Sequence, residues 1–158
     1  MTLTEVIQDP ARLRRVVADA SDVLDAEVAD KSGLTGIAVK GAFAIVKAVK
    51  PGILVESIEN LLPDFARVLD PVIAGRPEGT SLATYLKSKS GDVVTALLSI
   101  TDDRARKSTH KTLVGAYNKL RPQAEKHVSA AVPRVADLVD KHVGEASKAA
   151  QQAGGPAT

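Results

Sequence analysis

Apolar residues recur at helical spacing along almost the whole chain, and this periodicity constrains the fold more than any other feature of the sequence. From Leu13 to Val143 the apolar positions return every three or four residues, which places them on one face of a helix. Prolines, glycines and residues that commonly cap helices interrupt the pattern. The sequence therefore predicts an all-α fold without a sheet, in which several helices pack as a bundle.

The length of 158 residues fits one domain. A chain of this size buries about two-thirds of its unfolded surface, so it needs no metal or disulfide to stay folded. Cysteine is absent, which excludes disulfides and thiolate chemistry. We expect one helical domain over residues 1–145 and a disordered tail over 146–158, because the end of the chain is small, polar and rich in glycine.

Breaks in the pattern divide the chain into helices of different length. The stretch after Pro51 keeps its period through Pro63, which predicts either two helical pieces or one helix kinked at that proline. Residues 75–80, GRPEGT, form the clearest loop. We expect the main helices at 10–30, 34–50, 54–72, 81–88, from 90 onward, at 109–120, and from 122 onward across Pro133.

The helix expected at 34–50 is apolar nearly all round, and only Lys40 and Lys47 mark a polar stripe. This composition predicts the central helix of the bundle, with Phe43 and Ile45 buried. The same helix fits an anionic membrane surface with its lysines outward, but the wide apolar arc favours burial in a protein core. The stretch is too short and too often interrupted by lysine to span a membrane.

The two halves of the chain resemble each other. Leu62–Asp70 and Val132–Asp140 share the pattern apolar, Pro, x, apolar, Ala, x, apolar, apolar, Asp at an offset of 70 residues. The triplets 41–43 and 115–117, Gly-Ala-Phe and Gly-Ala-Tyr, match at an offset of 74. The order of these landmarks predicts an internal pseudo-repeat, about 9–74 and 80–145, whose drifting offset reflects small insertions. The alternative is a chance match between two helical halves rich in alanine and valine.

Several of these segments resemble a known family. They are VLDAEVADKSGLTGIAVKGAFAIVKAVKPG, LLPDF, YLKS, ALLSITDDRAR and KHVSAAVPRVADLVDKHV. Together they are similar to a family of short uncharacterised actinobacterial proteins, over about residues 9–143. The resemblance implies a bacterial, cytoplasmic protein of unknown function. It brings no activity, substrate, cofactor or site residue.

The three histidines lack the spacing of a metal site. Zinc and di-iron sites on helices place a second ligand three or four residues from a histidine. Glu125 and Asp140 stand only two residues before His127 and His142, and lysines lie close to these histidines and to His110. We therefore expect surface histidines and neither a metal nor another cofactor.

No arrangement of side chains points to catalysis. Ser108-Thr109-His110 sets a hydroxyl beside an imidazole, but adjacency in sequence does not make a triad, and Ser108 is better interpreted as a helix cap. Gly33, Gly36 and Gly41 lack the lysine and the preceding strand of a phosphate loop, and helix packing explains them better. The sequence predicts no catalytic residue and no enzyme.

The charge balance is only mildly basic, with a net charge of +2, and aromatic residues make up 3% of the chain. Three small basic clusters alternate with aspartates, which is typical of a solvated face and does not predict a specific nucleic-acid site. The clusters are Arg12, Arg14 and Arg15; Lys40, Lys47 and Lys50; and Arg104, Arg106, Lys107 and Lys111.

These observations favour a non-enzymatic interaction or scaffold protein, with a protein partner or self-association, for example as a homodimer. One alternative is a carrier of a small apolar ligand held between the halves. Another is a basic accessory protein on nucleic acid or on a membrane surface. The first residues show no secretory signal, so we expect a cytoplasmic location.

Overall fold

The computed structural model describes residues 1–155, and within them every regular element is helical. The all-α prediction is confirmed. The α-helices are α1 (Leu3–Gln8), α2 (Pro10–Asp30), α3 (Gly33–Lys47), α4 (Ile53–Ala74), α5 (Leu82–Ser88), α6 (Ser90–Lys107), α7 (Lys111–Leu120) and α8 (Ala124–Ala153), and a 3-10 turn at Arg121–Gln123 precedes α8.

Side chains that cap backbone N–H groups fix where the first helices begin. Thr2 and Glu5 form a reciprocal capping box at the start of α1. Asp9 accepts a hydrogen bond of 2.8 Å from the backbone N–H of Arg12, and Pro10 occupies the first position of α2, where its missing N–H costs no helical hydrogen bond.

Prolines lie inside two long helices without dividing them. α4 continues through Pro63 and Pro71, and α8 continues through Pro133. Of the two arrangements that the sequence left open around Pro63, the structure has the single helix. Pro63 and Pro133 are exposed, so the carbonyl groups that lose their N–H partner at these positions lie on the solvent side.

The hydrophobic core lies between α1, α2, α4, α5, α6 and α8. Its small residues include Ala66 of α4 and Ala136 of α8, which are almost fully buried. The most completely buried large side chains are aliphatic: Leu3, Val6, Val16, Leu86, Val93, Val132 and Val139.

α3 is not the centre of this core, so the prediction of a central helix at 34–50 is wrong. α3 packs mainly against α7 at the side of the molecule, and none of its residues belongs to the core cluster. Phe43 is half-buried and Ile45 is exposed. The sequence showed an apolar helix but did not show whether its apolar surface is buried within this chain.

The predicted tail begins too early. α8 extends to Ala153, and Ala146 is 1% exposed within the core cluster. The prediction of a disordered segment from residue 146 is therefore wrong for 146–153, and residues 156–158 lie outside the described part of the chain.

The two segments that match in sequence also match in burial. Residues 61–70 and 131–140 have the same pattern of buried, half-buried and exposed residues at every position. Helices of the two halves also cross-pack, because α2 contacts α8 while α6 contacts α4. The duplication itself stays a prediction.

Two ion pairs join the halves with opposite polarity. Asp64 of α4 accepts a hydrogen bond of 2.6 Å from Arg104 of α6. Arg134, which holds the corresponding place in α8, donates to Glu27 of α2 at 2.7 Å and to Asp30 at 2.6 Å. The carboxylate is thus on α4 in one pair and on α2 in the other.

Candidate interaction surface

One face of α3 is exposed and apolar along the whole helix. Leu34 is 88% exposed, Ile37 is 71% exposed and Ile45 is 44% exposed. The spacing of three and four residues puts these side chains on one stripe of the helix. We call this set the α3 stripe, and its members are Leu34, Ile37, Ala38, Gly41, Ala44, Ile45 and Ala48, all exposed.

The opposite face of α3 attaches the helix to the rest of the protein mainly through small residues. Gly36, Val39 and Ala42 are buried. A Cβ atom at Gly36 would lie 2.7 Å from the backbone carbonyl carbon of Lys31, so only glycine fits where α3 passes over the end of α2. Gly33 begins the helix with a φ of +66°, a conformation that glycine adopts without strain. This local geometry turns the bulky side chains outward.

At Gly41, in the middle of the α3 stripe, the packing of this chain does not require a glycine. A Cβ atom built at Gly41 meets nothing within 4 Å. Glycine in a helix interior costs roughly 0.5–1 kcal/mol relative to alanine. The packing of Gly36 predicted from the sequence is confirmed, whereas Gly41 approaches no neighbouring backbone of its own chain.

The exposed face of α7 provides a comparison with the α3 stripe. The triplet that contains Gly115 has the same burial as the triplet that contains Gly41: exposed, buried and half-buried. Around Gly115, the exposed residues of α7 are polar: Lys111, Thr112, Asn118 and Lys119. The corresponding places around Gly41 hold Ile37, Ala38, Ala44 and Ile45. An exposed helix at this side of the molecule therefore does not need apolar residues for folding.

The surroundings of the α3 stripe are basic. Residues 31–55 and 104–124 contain ten lysines and arginines and no aspartate or glutamate. Some of these cations have partners outside these segments, since Lys47 lies 3.8 Å from Asp25 and Lys50 lies 2.7 Å from Glu56. Among the described residues, salt bridges are absent at three exposed lysines of α3 and α7: Lys40, Lys111 and Lys119.

His142 is buried, which corrects the prediction of a surface histidine. It is 3% exposed, and its Nε2 lies 2.7 Å from Oδ2 of Asp19, which also accepts a hydrogen bond of 2.7 Å from Lys141. Hydrogen bonds from Lys141 and His142 lower the pKa of Asp19. His142 follows Leu138 by four residues in the apolar series of α8, and this spacing is the sequence signal of its burial.

The other two histidines also lie in defined places. His110 caps α7, because its Nδ1 accepts a hydrogen bond from the backbone N–H of Leu113. Ser108 is the C-cap of α6, which agrees with its interpretation as a helix cap, and its hydroxyl accepts a hydrogen bond from the N–H of His110. His127 is half-buried, and burial together with Lys31 and Lys126 lowers its pKa.

A second polar cluster joins α6 to α7. Arg121 donates two hydrogen bonds to Asp102, at 2.8 and 3.1 Å, and the hydroxyl of Tyr117 donates to the same carboxylate. Arg121 and then Tyr117 lower the pKa of Asp102, while burial and the neighbouring carboxylate raise the pKa of Tyr117. The hydrogen bonds from Tyr117 and Arg121 to Asp102 stabilise the corner between α6 and α7.

Groups of three or more acidic or histidine side chains that could hold a metal are absent from residues 1–155. None of the helices in this part of the chain is long and apolar enough to cross a bilayer.

An open groove of about 300 Å³ lies beside α3, between α2 and the start of α4. Leu24, Ile53 and Ile58 form apolar walls, and Lys47 and Asp25 also line it. All its lining residues lie within 21–58, so this groove belongs to the first predicted half and does not lie between the two halves.

Comparison with known proteins gives a family but no function. No curated protein and no solved structure matches the chain. A sequence model described as a family of unknown function, DUF6918, matches residues 3–143, which is most of the chain. The protein therefore belongs to the DUF6918 family of unknown function.

Proposed function

We propose that this protein is a non-enzymatic interaction protein that binds a protein partner through the α3 stripe. The observation that carries the proposal is the exposure of Leu34, Ile37 and Ile45 on one face of a well-formed helix. Fully burying such a side chain contributes roughly 1.5–3 kcal/mol. A partner that buries these side chains would therefore gain several kilocalories per mole of binding free energy.

The contrast between α3 and α7 supports this proposal over a purely structural role. Gly41 and Gly115 have the same exposure, yet apolar residues surround one and polar residues surround the other. A contiguous exposed apolar patch on a globular protein is typical of an interaction site.

A photo-crosslinking amino acid placed at Ile37 tests the proposal in the cells that make the protein. We expect light-dependent adducts between Ile37 and another protein chain. The matched control is the same amino acid at Thr112, which lies on the exposed polar face of α7 and should give no adduct. Both variants should melt at the temperature of the unmodified protein, since both positions are exposed. Equal labelling at the two positions, or none at Ile37, would contradict the proposal.

A carrier of a small apolar ligand is a second candidate, and one feature of the groove beside α3 favours it. Ser21 lines this groove, and its hydroxyl is buried and has no hydrogen-bond partner among the described residues. A ligand with one polar group and an apolar body would satisfy it. Native mass spectrometry of the purified protein should then show bound ligand, and Ser21→Ala should reduce its amount. A protein of unmodified mass in every preparation argues against a carrier.

The third candidate, a basic accessory protein on nucleic acid or membrane, depends on the three exposed lysines Lys40, Lys111 and Lys119. Binding to DNA or to anionic vesicles that weakens steeply with salt would support it. We further propose a cytoplasmic location in an actinobacterium, as the family resemblance implies. Fractionation of the native cells tests this location.

A further inference from the structure

We propose that the α3 stripe is covered by the α3 stripe of a second copy of this chain, with the two helices antiparallel and the two-fold axis passing beside Gly41. This inference rests on the proposed function, because it names the occupant of the same surface. It makes the protein a symmetric dimer in which each chain presents the same residues to the other.

Within four positions of Gly41, the residues of the stripe read the same in both directions. Ile37 and Ile45 stand four positions away on either side, and Ala38 and Ala44 stand three positions away. A two-fold interface must be complementary to itself, because the same patch serves both partners. In an antiparallel pair centred on Gly41, Ala38 of one copy lies opposite Ala44 of the other.

The size of these residues also fits a close helix pair. Gly41 lies at the centre with alanines on both sides, and a Cβ atom at Gly41 would meet nothing of its own chain within 4 Å. Glycine and alanine at a helix crossing allow two backbones to approach closely, while longer side chains pack beyond the crossing. Leu34 would then lie opposite Ala48, which again pairs a large residue with a small one.

Charge gives the proposed dimer a distinctive salt dependence. Lys40 and Lys47 border the α3 stripe, so a second copy brings lysines toward lysines. Exposed pairs of charges contribute at most about 1 kcal/mol, which apolar burial exceeds. Salt screens this repulsion, so the dimer should become tighter as salt is added. An acidic protein helix or an anionic membrane would instead bind less tightly in salt.

The extent of the stripe limits the strength of the dimer. Residues 34–48 of a helix span roughly 21 Å. One helix pair of this length buries less than the roughly 800 Å² per partner of a standard stable interface. We therefore expect a dissociation constant on the order of micromolar, with free exchange of subunits.

Sedimentation equilibrium of the full chain tests the dimer directly. The association constant should rise several-fold between about 50 mM and about 500 mM NaCl. Ile37→Asp should lower it at least about tenfold, because it replaces an apolar side chain of the interface with a charged group that loses its water on burial. The matched control Lys111→Asp, at the corresponding position of α7, should leave the dimer in place.

Single-cysteine variants test the orientation, because the natural chain has no cysteine. Under mild oxidation, a mixture of Ala38→Cys and Ala44→Cys should form disulfide-linked dimers faster than either variant alone. A parallel pair predicts the opposite, with each variant linking to itself. Gly115→Cys on the exposed face of α7 should stay monomeric.

Two results overturn the inference. One is a monomer at every salt concentration, and the other is an association that Ile37→Asp leaves unchanged. If such a protein still gives adducts to a different protein from Ile37 in cells, the proposed function stands and only the identity of the partner is wrong. If neither a dimer nor an adduct forms, both proposals fail.

Discussion

Gly36 and Gly41 lie five residues apart on one helix and are under opposite constraints. At Gly36 a Cβ atom would collide with the backbone of Lys31, whereas at Gly41 the space is open. We expect Gly36→Ala to destabilise the protein and Gly41→Ala to stabilise the monomer by roughly 0.5–1 kcal/mol, because alanine restricts the unfolded chain and favours the helix. Urea unfolding of dilute protein measures both. A loss of stability in Gly41→Ala would show that the space is not open.

Asp19 should make stability depend on pH in the acid range. Its pKa lies below the ordinary value of 3.8, because Lys141 and His142 hydrogen-bond to its carboxylate. The stabilisation is therefore complete above pH 3.8 and is lost as the pH falls through the lower pKa of the folded state. Asp19→Asn should cost about 1–2 kcal/mol at pH 7, and the difference should shrink as the pH falls through the pKa of Asp19 in the folded state.

Unfolding by urea across this pH range checks the prediction for Asp19. The control is Asp22→Asn, an exposed position of the same helix, which should follow the unmodified protein throughout. A constant difference between Asp19→Asn and the unmodified protein down to pH 2 would contradict the ion-pair explanation.

His142 shows what single residues reveal before a structure is known. Its place in the apolar series of α8 was visible in the sequence, but the prediction of surface histidines did not use it. Its partner was not visible, because Asp19 lies 123 residues away on another helix. A periodic pattern shows which face of a helix is buried, but it does not show which polar group of another helix contacts that face.

Among the elements, α3 shows why an apolar helix is not always a central one. The sequence predicted its helical state and a break after residue 50, three residues beyond the observed end at Lys47, because both depend on local residues. Its position depends on what covers the apolar surface, and a hydrophobic pattern is the same for a core and for a partner. The stripe Leu34, Ile37 and Ile45 was therefore assigned to the wrong environment, and the candidate surface was missed.

Substitutions in α3 should be less destabilising than substitutions in α5. Leu86 of α5 is 1% exposed in the core, and Leu86→Ala should cost about 2–5 kcal/mol through lost burial and a cavity. Phe43 is half-buried in α3, so Phe43→Ala should cost only about 1–2 kcal/mol, less than the usual core penalty for phenylalanine. Thermal melts of the two variants decide the order. If Phe43→Ala proves the more damaging, α3 is central after all.

The end of α8 should tolerate truncation up to a defined residue. Residues 150–155 are exposed, so removing the chain from Ala149 onward should leave the melting temperature within error. Ala146 is buried and Ser147 donates a hydrogen bond to the carbonyl of Val143, so truncation after Gly144 should cost about 1 kcal/mol or more. Equal melting temperatures for the two truncations would contradict the packing of Ala146.

In the whole molecule, each half completes the core of the other. α2 packs on α8 and α4 packs on α6, in addition to the packing of α2 on α4 and of α6 on α8 within each half, so the two halves share one hydrophobic core. We expect the separately produced fragments 1–77 and 78–158 to be poorly folded alone. After mixing, they should recover the circular dichroism spectrum and a single cooperative melt, because the cut falls in the loop between α4 and α5. Two fragments that each melt cooperatively alone would show two independent domains.

The reversed ion pairs between the halves have a consequence for how such fragments choose their partners. When the first half pairs with the second, Arg104 forms an ion pair with Asp64 and Arg134 forms an ion pair with Glu27. If the predicted pseudo-repeat is real and Glu27 takes the place of Arg104, two copies of the first half would set Glu27 against Asp64, and two copies of the second half would set Arg104 against Arg134. Like charges at both contacts would penalise each self-paired product, whereas both contacts are attractive in the mixed one. A duplicated chain with one polarity in both places would lack this discrimination, so we expect the alternation of sign to favour pairing of the first half with the second.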